Sequence, residues 1–511
     1  MIRDNISNIM TNTNHNSNLA RKASLFAITV LCFSCAAFAL PGTGPTNLQT
    51  SPGVSFETAG SKLTFTAPDK SVLNWNAFGS GTNAISSGDA VVYNVPNPSS
   101  SILNVVSGGA STTIDGALAS NGKLYILNPN GIVIGGGSRI DTNGFTISTV
   151  DNAFSGQFHY LNNGKLASET GTRTASGNTV VNGNAIINSE NITILTKDIT
   201  VNGGFMNGNL IVNADGLVSL GLAGNTFYVS NGVSVVNPTG NTIVGAPNAV
   251  LASNGAVSVN TTSGTITNAA GSTLSAGLVS FSSVTGDINV SGISAVKTSV
   301  AGKNVSIGFG NAAKSSLSAN VTGNLVVTAQ NFLTLDSLNN SSGATSVTSS
   351  GKLTLGNIHI DSVAPTSFVG SSVVDSFDNS FVYGPVLFAS TIGEVAITKA
   401  GHSFGPVSVN SATSATVYEG AALNLNIVRA KDLTVKTGEF FFQTPVTASL
   451  IADKFNLSAL GTVNFITGNI ASGLAVSTFG NVDLSKLSLL TNLNGTTPSV
   501  TTRGTVTNPA P

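Results

Sequence analysis

The chain is predicted to be all-β, folded as a right-handed parallel β-helix, and three observations predict it. Apolar and small polar residues alternate in runs of about three to five. The runs recur every 20 to 22 residues. Gly, Ser, Thr, Asn and Val dominate a chain in which only 8% of residues are charged and mean hydropathy is +0.28. High charge with low hydropathy would mark disorder, and this chain has the reverse.

The alternation reads strand by strand. Ile192-Thr-Ile194, Ile199-Thr-Val201, Val257-Ser-Val259, Ile288-Asn-Val290, Val305-Ser-Ile307 and Leu353-Thr-Leu355 each put two apolar side chains on one face and a polar one on the other, because successive strand residues point to opposite sides. Val257 is followed at 22 residues by Val279, Ile266 by Ile288 and Val305 by Val327; Leu333 and Leu335 are followed at 20 by Leu353 and Leu355. In an all-β chain such a period marks a solenoid, each coil covering the apolar face of the one before it. β-Sandwich domains also have short strands and many turns, but their strands run longer and their spacing is less even. Asn-Gly steps beginning at Asn121, Asn130, Asn143, Asn163, Asn182, Asn202, Asn207, Asn231 and Asn254 supply residues tolerant of positive φ where the chain turns between faces.

Taken in order, residues 1–39 read as an export signal. Arg21 and Lys22 precede the apolar run Ala23 to Ala39, which is too short and too rich in small residues for a comfortable membrane span, and Ala37-Phe38-Ala39 is an A-x-A cleavage pattern with the cut before Leu40. The only cysteines, Cys32 and Cys35, lie inside this run, so the mature chain has none, as suits a protein that must stay unfolded during export. The remainder holds 18 Lys and Arg against 21 Asp and Glu. A basic patch that would drive nucleic-acid binding is disfavoured.

Residues 71–158 stop being generic. Leu73-Asn74-Trp75 carries the only tryptophan and precedes Val95-Pro-Asn-Pro98 and Leu103-Asn104-Val105. Then come Ser111, Ile114, Gly116, Leu118, Asn121-Gly122 and the turn Asn128-Pro129-Asn130-Gly131, with Gly144-Phe145, Ser148-Thr149, Phe154-Ser155-Gly156 and Phe158 after it. In that order and spacing the segment resembles the amino-terminal secretion domain of the filamentous haemagglutinin family, the passengers of two-partner secretion. The resemblance spans about 40–290 and also covers the leader, since mature chains of the family often begin with Leu-Pro after A-x-A. Asn74, Trp75, Asn104, Asn128, Pro129, Asn130 and Gly131 are the secretion-motif residues it implies. Two departures stand out. Asn104-Val105-Val106 stands where the family commonly has Asn-Arg-Val, so any contact made by that arginine is missing. A second Asn-Pro-Asn-Leu motif is not found, and Asn237-Pro-Thr-Gly240 is at best a distant echo.

The Asn-Pro-Asn-Gly turn also has a local reading. Pro129 fixes φ at the first central position, Asn130 tolerates the left-handed region at the second, and Gly131 closes the bend. It either only starts a coil or, as the resemblance implies, forms part of what the periplasmic domains of the outer-membrane transporter recognise. Residues 291–511 are expected to continue the helix or to form an irregular β repeat.

No catalytic residue, cofactor or metal site is expected. Gly401-His402-Ser403-Phe404-Gly405 matches the G-x-S-x-G nucleophile elbow, but Pro406 and Val407-Ser-Val409 forbid the helix that must follow, and no histidine comes after the serine. His15, His159, His359 and His402 lie far apart without a ligand pattern. Gly135-Gly-Gly-Ser138 lacks the lysine and helix of a phosphate loop. Glu439-Phe440-Phe441-Phe442 offers an aromatic cluster, most simply a stack inside the rod or the cover of its end. Asp336, Asp361, Asp375, Asp378 and Glu394 are scattered among Ser and Asn.

The chain therefore reads as a secreted or cell-surface protein with an adhesin-like role. A signal peptide takes it through the inner membrane and a separate transporter through the outer one, and its later coils make contact with host-cell or matrix glycans or proteins. A carbohydrate-active β-helix enzyme and a non-adhesive extracellular rod are the alternatives.

Overall fold

A computed structural model describes residues 45, 47–150, 175–310, 312–441 and, with short breaks, 450–507. The described residues form 46 strands and one three-residue 3-10 turn, Gly81–Asn83. The strands pair in register into a parallel β-helix. On the first face Lys62–Thr66 lies beside Ala90–Asn94, then Ala117–Ser120, then Arg139–Asp141. On the second, Ser71–Trp75 is followed by Ser101–Val106, Lys123–Leu127 and Gly144–Ser148. On the third, Thr112–Ile114 is followed by Ile132–Ile134, Thr179–Val181 and Ile199–Val201. From Ile199 this face climbs through Val218, Thr242, Ile266, Ile288, Val305 and Leu325 in steps of 17 to 24 residues.

The burial pattern explains the pairing. Ile192-Thr-Ile194, Ile199-Thr-Val201 and Leu353-Thr-Leu355 each bury the apolar pair and leave the threonine half-buried. Each buried Ile, Leu or Val contributes roughly 1.5–3 kcal/mol, and only the adjoining coils supply the apolar surface that a three-residue strand lacks. Inward side chains from all three faces merge into one core running from Leu63 to Val476.

Four of the five repeat pairs read from the sequence are true register partners: Val257 with Val279, Ile266 with Ile288, Leu333 with Leu353 and Leu335 with Leu355. The fifth differs. Val305 lies beside Leu325, while Val327 lies beside Ile307. That coil takes 20 residues where the repeat at Val257 and Ile266 takes 22, and a shift of two leaves the inward pattern unchanged, so alternation alone cannot detect it.

The first coil departs from the parallel rule. Leu48–Thr50 pairs antiparallel with Ser71–Trp75, and Ser55–Ala59 folds back antiparallel on Lys62–Thr66. These pairings cover strand edges that would otherwise present open hydrogen-bonding groups.

The turn chemistry also needs correcting. Among the described Asn-Gly steps positive φ falls on the glycine at Gly131 (115°), Gly203 (129°) and Gly208 (151°) and on neither residue at the others, and the asparagines of those steps do not take it. Asn163 lies outside the described residues.

Candidate functional site

The residues singled out in 71–131 separate into an interior network and a corner. Trp75 and Asn104 occupy inward positions on the second face, in adjacent coils, and are 1% and 0% exposed. Strand alternation alone would put an apolar residue at position 104. An asparagine there must find partners or cost several kcal/mol. It finds three: Asn104 Oδ1 accepts from Trp75 Nε1 and from the Tyr93 hydroxyl, both at 2.9 Å, and its Nδ2 donates to the Tyr125 carbonyl at 3.4 Å. Phe65 stacks on Tyr93 at 5.3 Å and meets Trp75 edge-on at 5.8 Å; Phe78 closes on Trp75 at 4.9 Å. Burial raises the Tyr93 phenol well above its ordinary value, only partly offset by the Asn104 bond. It is a neutral donor.

Tyr93 was not singled out from sequence. Its signal was available, because it stands two residues after Val91 on an inward row, where a buried tyrosine hydroxyl needs a partner. Asn74, by contrast, is exposed and faces outward beside Val105. The structure does not bring it to the network.

The corner is built by Asn128 to Gly131. Asn128 is fully buried, and its Nδ2 donates to the Ala110 carbonyl (3.0 Å) and Thr112 Oγ1 (2.9 Å). Its Oδ1 accepts from the Asn130 amide at 3.0 Å, and its carbonyl accepts from the Gly131 amide at 3.1 Å. The turn is thus fastened by the first asparagine. Asn130 does not take the positive φ expected of it, which falls on Gly131 instead, and its Nδ2 reaches the Gly108 carbonyl at 2.6 Å. The Pro129 carbonyl accepts from Ser176 Oγ at 3.0 Å. Gly177 presses on the turn so closely that a Cβ there would lie 2.4 Å from the Pro129 oxygen. Asn130, Gly131, Ser111, Val133 and Lys197 line an open recess of about 350 Å³.

Asn237-Pro-Thr-Gly240, an echo in sequence, repeats this corner. Asn237 is fully buried, bonds Thr242 Oγ1 at 3.1 Å and accepts the Gly240 amide at 3.1 Å. Asn340 does the same with Thr345 at 2.8 Å and the Gly343 amide at 3.3 Å, without a proline. The recurring signal is a buried Asn followed by a glycine three residues on.

Val105, where the missing arginine would stand, faces outward and is 5% exposed, in a small apolar cluster with Leu103, Tyr125 and Leu127. The leader residues Ala37, Ala39 and Leu40 lie outside the described residues, as do Phe154, Ser155, Gly156, Phe158 and His159, and nothing is described of the side chains of Glu439 to Phe442.

At Gly401-His402-Ser403 the structure supplies a partner the sequence did not reveal. His402 Nε2 lies 2.9 Å from Asp375 Oδ2, with the two side chains 1% and 3% exposed. Its Nδ1 accepts the Ser380 amide at 3.1 Å, so the ring proton sits on Nε2 and points at the carboxylate. Burial pushes the Asp375 carboxyl up, but bonds from His402, Thr398 and Lys399 outweigh it and hold it below its ordinary value. Ser403 is exposed while His402 is buried. They point to opposite sides of the chain, a poor geometry for proton transfer between them. Among the described residues no three of His, Cys, Asp and Glu gather as metal ligands would.

Comparison with known proteins gives the corner and the network a context. Residues 62–226 match the family model of the TPS secretion domain. Two curated heme/hemopexin-binding proteins of Haemophilus influenzae are 34% identical over 95 residues and 35% identical over 83, matches covering 18% and 16% of this chain. The chain spans only 10% and 8% of the length of those relatives. Among solved structures, the crystal structure of the HMW1 secretion domain from Haemophilus influenzae aligns with 81% of this chain and 100% of that one, at 15% identity and a TM-score of 0.26.

Proposed function

We propose that this chain, which carries a TPS secretion domain over residues 62–226, is an exported surface protein that a separate outer-membrane transporter carries out of the cell. The matched segment contains both the Trp75–Asn104 network and the Asn128–Gly131 corner, and that coincidence carries the reading. In this reading residues 1–39 are a signal removed before Leu40, and the open corner beside Lys197 is what the transporter meets. The later coils then act by contact, in an adhesin-like role without catalysis, since their outward rows are mostly Ser, Thr, Asn and Gly.

The test is expression with and without a two-partner outer-membrane transporter. With it, the protein is expected in the medium or on the cell surface, starting at Leu40 by terminal sequencing. Without it, the chain is expected to stay in the periplasm, and undiminished secretion would overturn the reading.

A further inference from the structure

An outward row of the second face runs in continuous register from Asn74 and Val105 up to Asn339, His359, Phe381 and Ser403. Near its upper end the row changes character. His359 stacks on Phe381 with ring centroids 5.2 Å apart and planes 28° apart, and its Nε2 lies 3.3 Å from Asp361 Oδ2. Tyr383, 61% exposed, stands in the next coil beside Asp361, its amide donating to the Ile360 carbonyl at 2.9 Å. One coil further on, the same two positions are Ser403 and Gly405. Two rings and a histidine–carboxylate pair thus form a ledge with a low step above it.

The ledge is fixed from behind. Ser380, which leads into Phe381, donates its amide to His402 Nδ1 and its hydroxyl to the Gly356 carbonyl at 3.3 Å. His402 is in turn held by Asp375, itself gripped by the Thr398 and Lys399 amides at 2.8 and 2.7 Å. A buried polar pair in an apolar rod is costly, and here its geometric result is to set the backbone that presents Phe381.

We infer that His359, Asp361, Phe381 and Tyr383 bind a neutral saccharide. Ring faces take the C–H face of a pyranose, while imidazole, carboxylate and phenol exchange hydrogen bonds with its hydroxyls. The four hold one acidic side chain and no lysine or arginine, a composition that disfavours acidic sugars. A pre-set ledge loses little entropy on binding. His402 is a positioning residue. The inference gives the contact reading its ligand class, and it needs only the purified chain, so failure of export leaves it untouched.

The experiment is binding of the purified full chain to immobilised neutral and acidic oligosaccharides. Tyr383→Ala and His359→Ala are each expected to weaken binding to the neutral set roughly tenfold or more, as loss of a contact worth 1.4 kcal/mol does, and Phe205→Ala, at an aromatic 51% exposed on the first face, to leave it unchanged. His402→Gln keeps an acceptor for Ser380 and a donor for Asp375 and is expected to retain binding that His402→Leu loses. No binding to any neutral saccharide, a preference for acidic ones, capture of a protein in their place, or binding indifferent to Tyr383→Ala overturns the inference.

Discussion

Trp75 and Asn104, 29 residues apart in sequence, meet at 2.9 Å through the indole Nε1 and the side-chain amide oxygen, in a core where neither touches water. The same oxygen holds the Tyr93 hydroxyl. One acceptor serves two buried donors, so the three residues are unequal. Asn104→Ala strands both donors and is expected to cost about 3–5 kcal/mol, since each unsatisfied buried group costs about 1–3 kcal/mol. Tyr93→Phe removes a donor and leaves the acceptor satisfied by Trp75, at a cost of about 1 kcal/mol. Urea unfolding followed through the single tryptophan measures both; equal losses would refute the shared-acceptor account.

The corner makes a similarly unequal prediction. Gly131 has φ 115°, and a Cβ there would stand 3.0 Å from the Asn178 carbonyl oxygen, so Gly131→Ala is expected to cost about 1–3 kcal/mol. Asn130 is exposed, and Asn130→Ala removes its side-chain bonds to the Gly108 carbonyl and to Asn128 Oδ1 while leaving its backbone amide on Asn128, costing about 1 kcal/mol or less. Hydrogen exchange at the Thr112 amide, which donates to the Gly131 carbonyl at 3.0 Å, is expected to quicken far more in the first variant.

These two sites also show what the sequence could carry. Alternation and period expose the strands, because side-chain direction is a local property, and so the inward residues of Ile192–Ile194 or Leu353–Leu355 are legible. Contacts between coils depend on coil length, which varies between 17 and 24 residues on the third face from Ile199 on, and register shifts at bulges such as Leu317/Ser318. Val305 was therefore matched two residues away from its partner, and the pairing of Asp375 with His402, 27 residues on, could not be read at all. The resemblance placed Trp75 and Asn104 in one motif; only the register placed them in contact.

Glu419 makes the stability depend on pH. It is 2% exposed, its Oε1 accepts the Phe404 amide at 3.0 Å and its Oε2 has no partner. Burial pushes its carboxyl up to about 7, with the Phe404 bond opposing. A raised acid pKa means that the folded state holds a proton the unfolded state has released, so stability falls as pH rises from the ordinary glutamate value of 4.5 to about 7. At about 1.4 kcal/mol per pH unit the fall is at most about 3 kcal/mol. Glu419→Gln is expected to abolish this slope and to stabilise the chain at pH 8 but not at pH 4. Asp375 has the opposite sign: its lowered value adds stability above the ordinary carboxylate range, lost as pH falls below it. Thermal midpoints of the wild type, Glu419→Gln and Asp375→Asn across pH 3 to 8 separate the two, and an unchanged slope in Glu419→Gln would remove that residue as the cause.

Val105 tests what the chain's departure from the family pattern means. Two neighbouring rungs of one outward row, Asn74 and Val105, differ sharply: the first is exposed, and the second is 5% exposed beside Leu103, Tyr125 and Leu127. An arginine at 105 must either lose its hydration among apolar neighbours or extend its stem over them to reach water. Val105→Arg is expected to cost about 1–3 kcal/mol, because the guanidinium gains no buried partner and the cluster loses packing. Asn74→Arg, on the exposed rung, is expected to stay within about 0.5 kcal/mol of the wild type. Denaturation midpoints of the two variants decide the matter. If Val105→Arg is as stable as Asn74→Arg or stabilises the chain, an acceptor for the guanidinium has survived at that rung, and the valine is not an adaptation of the surrounding cluster.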